Sequence, residues 1–133
     1  MIVVDASVFA HALLNEGGLG DRCRAILDDD DRWIAPQHWT AEVMSVIRRL
    51  LAAGKITRER AGRAVEALER LDPEVPLTRV LVSRMWELRD NLTAYDAAHV
   101  AAVEAYDCVL VTADARLANA PGIRGQIQVV DSV

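Results

Sequence analysis

Four acids in this chain sit where a solvated surface would not place them: Asp5, Glu42, Asp96 and Asp114. Asp5 follows Ile2-Val3-Val4, a continuous apolar run of the kind buried on both faces of a parallel sheet. Asp114 follows a second such run, Cys108 to Thr112. Glu42 is three residues after Trp39 and four before Val46, so it falls on the apolar stripe of a helix, where an unpaired charge is costly. Asp96 is three after Thr93, at the start of an alanine-rich helix. Local alternatives exist. Glu42 suits the positive end of a helix dipole, Asp96 a capping box with Thr93, and Asp114 a helix cap. Asp5 has no such local account. Gathered in one pocket, several carboxylates repel unless a divalent cation holds them. Oxygen-only ligands suit Mg2+ or Mn2+, and the matching chemistry is hydrolysis at phosphorus.

Other residues with chemical potential are less informative. His99 lies one helical turn after Asp96. It is a ligand, a base or, as is commoner on an apolar face, a core or contact residue. His11 and His38 have no partner visible in the sequence. Asp28 to Asp31 is a run of acids that reads as a solvated loop, because consecutive side chains splay apart. The glycines of Gly17-Gly18-Leu19-Gly20 follow no strand and make no phosphate loop.

The elements that position the four acids follow from periodicity. Strands are expected at Ile2–Val4, Trp33–Ala35, Asp107–Thr112 and Ile127–Val130, with Val75–Leu77 short and extended. Helices are expected over Ser7–Asn15, with Ser7 as N-cap, and over Leu19–Leu27. A helix over Gln37–Ala53 has Trp39, Val43, Val46, Leu50 and Ala53 in line and Gly54 as its stop. The next, capped by Thr57, carries Ala61, Ala64, Val65, Leu68 and Leu71. Another, capped by Thr78, aligns Leu81, Met85 and Leu88 and ends near Asn91. The last long one spans Ala94–Ala105. Strands alternating with helices indicate one α/β domain over residues 1–133, a sandwich with a mainly parallel sheet. Asp5 and Asp114 then sit at carboxyl ends of strands, where open α/β sheets bind ligands.

Composition sets limits. The chain has 133 residues, 52% hydrophobic, which excludes disorder. Its net charge of −5 argues against binding nucleic acid by bulk charge. Of its 15 basic residues all but Lys55 are arginine, the better fork for phosphate, although a GC-rich coding sequence gives the same bias. The longest stretch free of Asp, Glu, Lys and Arg is Ala6 to Asn15, ten residues, against about 20 for a membrane span. No signal sequence is visible, and Cys23 and Cys108 have no metal spacing, so a reducing cytoplasm is expected.

The motifs Val3-Val4-Asp5-Ala6-Ser7, Ala41-Glu42-Val43, Leu92-Thr93-Ala94-Tyr95-Asp96-Ala97-Ala98 and Leu110-Val111-Thr112-Ala113-Asp114 occur in this order along the chain. In this respect the chain resembles PIN-domain ribonucleases, and more narrowly the toxins of VapBC toxin–antitoxin pairs. The resemblance implies an α/β/α sandwich and Mg2+- or Mn2+-dependent endonuclease action on RNA. It places the acidic quartet on Asp5, Glu42, Asp96 and Asp114, with Asp5, Asp96 and Asp114 holding the cation. Glu42 would then orient or deprotonate the attacking water. Ser7 and Thr112 are supporting residues, and Arg116 is a candidate contact to the RNA backbone. The same resemblance implies a homodimer and a cognate VapB-type antitoxin.

Two other classes compete. A receiver-like phosphoacceptor domain also gathers acids at strand ends, but it needs a lysine near the last strands, and Lys55 falls in a helix–helix connection. A PIN-fold scaffold without catalysis would have no need of all four acids.

Overall fold

A computed structural model describes residues 1–131. Its four strands are β1 (Ile2–Val4), β2 (Trp33–Ile34), β3 (Val109–Thr112) and β4 (Gln126–Val129). They form one sheet in the order β2-β1-β3-β4, parallel throughout. The helices are α1 (Ala6–Leu14), α2 (Gly18–Asp29), α3 (Trp39–Ala52), α4 (Arg58–Arg70), α5 (Val82–Glu87), α6 (Ala94–Tyr106) and α7 (Ala115–Ala118).

The apolar runs are buried on both faces, as a parallel sheet requires. Val4 and Val111 pack into one core with Val8, Phe9, Trp39, Val43 and Leu68, from α1, α3 and α4. Val3 and Leu110 point the other way, into a second core with Leu81, Leu88, Val100 and Leu117. The result is the α/β/α sandwich expected.

Topology explains why the site lies where it does. From β1 the chain moves to β2 on one side and later returns to β3 on the other. This reversal leaves a crevice at the carboxyl ends of β1 and β3, where open α/β sheets bind ligands. Pairing of Val4 with Val111 brings those ends level, and the Asp5 amide donates to the Val111 carbonyl at 3.0 Å.

Several local expectations need correction. Ser7 is not the cap of α1. The helix starts at Ala6, Asp5 occupies the cap position, and the Ser7 hydroxyl is turned to Asp5 instead. In α3 the buried side chains are Trp39, Val43 and Ile47, while Ala53 is exposed. Glu42 is therefore half-exposed at the edge of that stripe rather than within it. Asp28 and Asp29 belong to the last turn of α2, and Asp30 pairs with the N-terminal ammonium at 2.8 Å. The helix expected from Thr78 is broken into a 3-10 turn (Thr78–Val80) and the short α5. Beside β2, the extended segment reduces to a single bridge between Ile34 and Glu74.

Gly20 is needed for a steric reason: a Cβ there would stand 1.8 Å from the Asn15 carbonyl oxygen. Such a contact cannot be relieved by a side-chain shift, so α2 can approach the end of α1 only with glycine at this point. Arg24 Nη1 also donates to the Ala12 and Asn15 carbonyls, satisfying groups a helix end leaves unpaired.

Candidate active site

A cavity of about 520 Å3 opens at the carboxyl ends of β1 and β3, and Asp5, Glu42, Asp96 and Asp114 all line it. Each arrives by a different device. Asp5 is delivered by β1 and held at the start of α1. Glu42 comes from the first turn of α3. Asp96 comes from the first turn of α6, where Thr93 Oγ1 accepts from the Asp96 amide at 3.2 Å. Asp114 caps α7, accepting from the Arg116 amide at 3.0 Å. For Asp96 and Asp114 the local capping geometry and the place in the pocket therefore hold together.

Asp5 is the most constrained of the four. It is buried, and its Oδ2 accepts from Ser7 Oγ at 2.5 Å and from Thr112 Oγ1 at 2.8 Å. The same two hydroxyls accept from the Ala113 and Asp114 amides, so they tie β1, α1 and the turn after β3 together. With Oδ2 so engaged, Oδ1 faces His99 Nε2 at 3.4 Å.

The electrostatics of the pocket are divided. Burial, and then the charge of Asp5, push the Asp96 carboxyl above its ordinary range. Asp114 is held below it, chiefly because Arg116 donates to both its oxygens, at 3.1 and 2.8 Å. Arg116 is itself 90% exposed, so its side chain can leave without breaking the core. The lining suits a hard divalent cation: carboxylates from four elements face one pocket, and one of them is already penalised for being charged there.

A stability effect follows from Asp96. Its folded pKa lies above the unfolded value of 3.8, so the folded chain binds the proton more tightly. Stability is then present at low pH and lost as pH rises through that raised value. Asp96→Asn is expected to stabilise the cation-free protein at pH ~7 and to lose this advantage near pH ~4. Urea unfolding in a chelator at the two pH values measures it, and an advantage independent of pH would contradict it.

Two histidines stand beside the acids: His38, for which no partner is visible in the sequence, and His99, whose role is left open there. His38 lines the cavity, and its Nε2 lies 3.0 Å from Glu42 Oε1. His99 is fully buried, with Nδ1 3.0 Å from the Tyr95 carbonyl oxygen. The i, i+4 spacing of His38 and Glu42 was visible in the sequence, but not that α3 and α6 bring the two pairs together. Arg49 also lines the pocket.

Comparison with known proteins places this architecture. The PIN domain family model matches residues 2–123. Ribonuclease VapC1 of Mycobacterium tuberculosis is 38% identical over 129 residues, 96% of each chain. The chain belongs to the PIN-domain family, among its VapC members. Solved structures agree on the fold. VapC20 of Mycobacterium tuberculosis, described as a toxin cleaving the sarcin-ricin loop, superposes with a TM-score of 0.62 at 14% identity, covering 83% of this chain and 87% of that one. VapBC2 of Rickettsia felis, bound to a DNA fragment from its promoter, gives 0.67 at 13% identity, covering 98% and 100%. No helix among the described residues is long and apolar enough to cross a membrane.

Proposed function

We propose that this protein is a Mg2+- or Mn2+-dependent endoribonuclease and the toxin of a type II toxin–antitoxin pair. The observation that carries this reading is the convergence of Asp5, Glu42, Asp96 and Asp114 on one open pocket at the switch point of the sheet. The ribonuclease class comes with the VapC relatives. A bound Mg2+ or Mn2+ supplies charge neutralisation at phosphorus and lowers the pKa of a water. Asp5, Asp96 and Asp114 are the carboxylates that hold it. Glu42 orients the attacking water or takes its proton. Attack in line breaks the bond to the leaving 3′-oxygen and leaves a 5′-phosphate. Ser7 and Thr112 fix the rotamer of Asp5 through Oδ2. Arg116, released from Asp114, contacts an RNA phosphate, and with a net charge of −5 target choice rests on RNA shape and local arginines.

The partners are RNA, a cognate VapB-type antitoxin that covers the pocket, and a second copy of the chain. Val80 on the 3-10 turn and Val82 and Trp86 on α5 are exposed apolar side chains of the kind a protein partner covers.

The purified chain, freed of antitoxin, is expected to cut members of a panel of structured RNAs with Mg2+ or Mn2+ and none in EDTA. A panel left uncut under all conditions would overturn the proposal. Thr112→Val removes one donor to Asp5 while keeping its shape. It is expected to slow cleavage about 10- to 100-fold, the usual cost of losing a group that orients a ligand. A rate equal to wild type would show that Thr112 does not position Asp5.

A further inference from the structure

His38 Nε2, Glu42 Oε1 and His99 Nε2 lie within 4.8 Å of one another. All three are buried atoms without a well-directed hydrogen bond, three of the four such atoms among the described residues, and they face one another at ion-pair distances. Unsatisfied buried polar atoms are costly and rare, so their concentration at one point calls for a ligand. His99 shows which kind. The Tyr95 carbonyl can only accept, so Nδ1 carries the proton. In the neutral ring Nε2 therefore presents a lone pair toward Asp5 Oδ1 and Glu42 Oε1. This is the usual disposition of a metal-binding histidine, whose other nitrogen donates to a carbonyl or carboxylate.

We infer that His38, Glu42 and His99 form a three-residue site for a borderline divalent cation of the Zn2+ class. Ligand atoms around a tetrahedral zinc are about 3.3 Å apart, given bonds of about 2.0–2.1 Å. The observed separations of 3.0 Å (His38–Glu42) and 3.9 Å (His99–Glu42) straddle that figure. Two imidazoles favour zinc, cobalt or nickel, whereas Mg2+ takes oxygen. The His38 ring is set edge-on to both Tyr95 and His99, with centroids 5.1 and 5.4 Å apart, which limits its rotation. This site shares Glu42 with the acidic quartet, so the two cations compete. Where the nuclease reading holds, Zn2+ is expected to inhibit RNA cleavage.

Co2+ titration of the full chain, followed by visible absorption and calorimetry, tests the site directly. Wild type is expected to give the intense spectrum of tetrahedral Co2+, bleached by Zn2+ and not by Mg2+. His38→Ala, at a partly exposed position that does not endanger the core, is expected to weaken binding at least 10-fold. His11→Ala and Asp114→Asn are expected to keep the spectrum, the latter while losing RNA cleavage. A weak octahedral spectrum in wild type, or unchanged affinity in His38→Ala, would overturn the inference. Retained Co2+ binding in a chain that cuts no RNA would leave it standing and refute only the nuclease assignment.

Discussion

Asp5→Asn is expected to reduce RNA cleavage about 1000-fold or more, about 4 kcal/mol of transition-state stabilisation, while the protein remains folded. The substitution is nearly isosteric, and the amide oxygen still accepts from Ser7 and Thr112. What is lost is the charge that faces the pocket. Because Asp5 raises the Asp96 pKa, removing its charge also relieves repulsion in the cation-free state. The melting temperature is thus expected to hold or rise as activity disappears. Cleavage assays paired with thermal unfolding separate the two effects. In cells, growth arrest on expression is expected to vanish with the same substitution. Arrest that persists in Asp5→Ala would point away from cation chemistry.

The largest stability effect is expected at Phe9. Its side chain is fully buried on α1 and packs on Trp39 (centroids 4.9 Å apart) and, edge-on, on Trp33 (6.0 Å). It thereby joins α1, β2 and α3, three elements brought together only by the fold. Phe9→Ala is expected to cost about 3–5 kcal/mol, because the rigid indoles cannot collapse into the cavity. Domains of this size have total stabilities of about 5–15 kcal/mol, so the variant is marginal. Activity should fall with it, since α1 begins at Asp5. Urea unfolding measures the loss, and a cost below about 1 kcal/mol would contradict the packing described.

How much of this was legible in the sequence depended on the range of the interaction. Val3, Val4, Leu110 and Val111 announced a doubly covered parallel sheet because burial on both faces removes alternation. Asp5 and Asp114 stood out because an acid directly after such a run needs a reason. Thr57 and Thr93 were readable as caps, since a cap is a contact over three residues. Ser7 looked the same locally, yet it serves Asp5 and the Ala113 amide, a partner 106 residues away. Glu42 was misplaced for a related reason: the stripe of α3 runs through Ile47, and only packing against α1 and α4 settles its edge. His38 and His99 could not be paired from sequence at all, because no spacing links α3 to α6. The break before α5 was also hidden, as periodicity does not distinguish a 3-10 turn from the first turn of a helix.

The receiver-like alternative loses its footing in the geometry. Lys55 is exposed in the connection between α3 and α4 and does not line the pocket that holds the four acids. The catalytically silent scaffold is distinguished by the cleavage assay: it leaves the RNA panel uncut with both Mg2+ and Mn2+.

Mn2+ titration by calorimetry, run on wild type and on Asp5→Asn, Asp96→Asn and Asp114→Asn, tests the central claim most directly. If these carboxylates hold the catalytic cation, wild type binds Mn2+ and each single variant binds it at least about 10-fold more weakly. Wild-type affinity in all three variants would contradict the account.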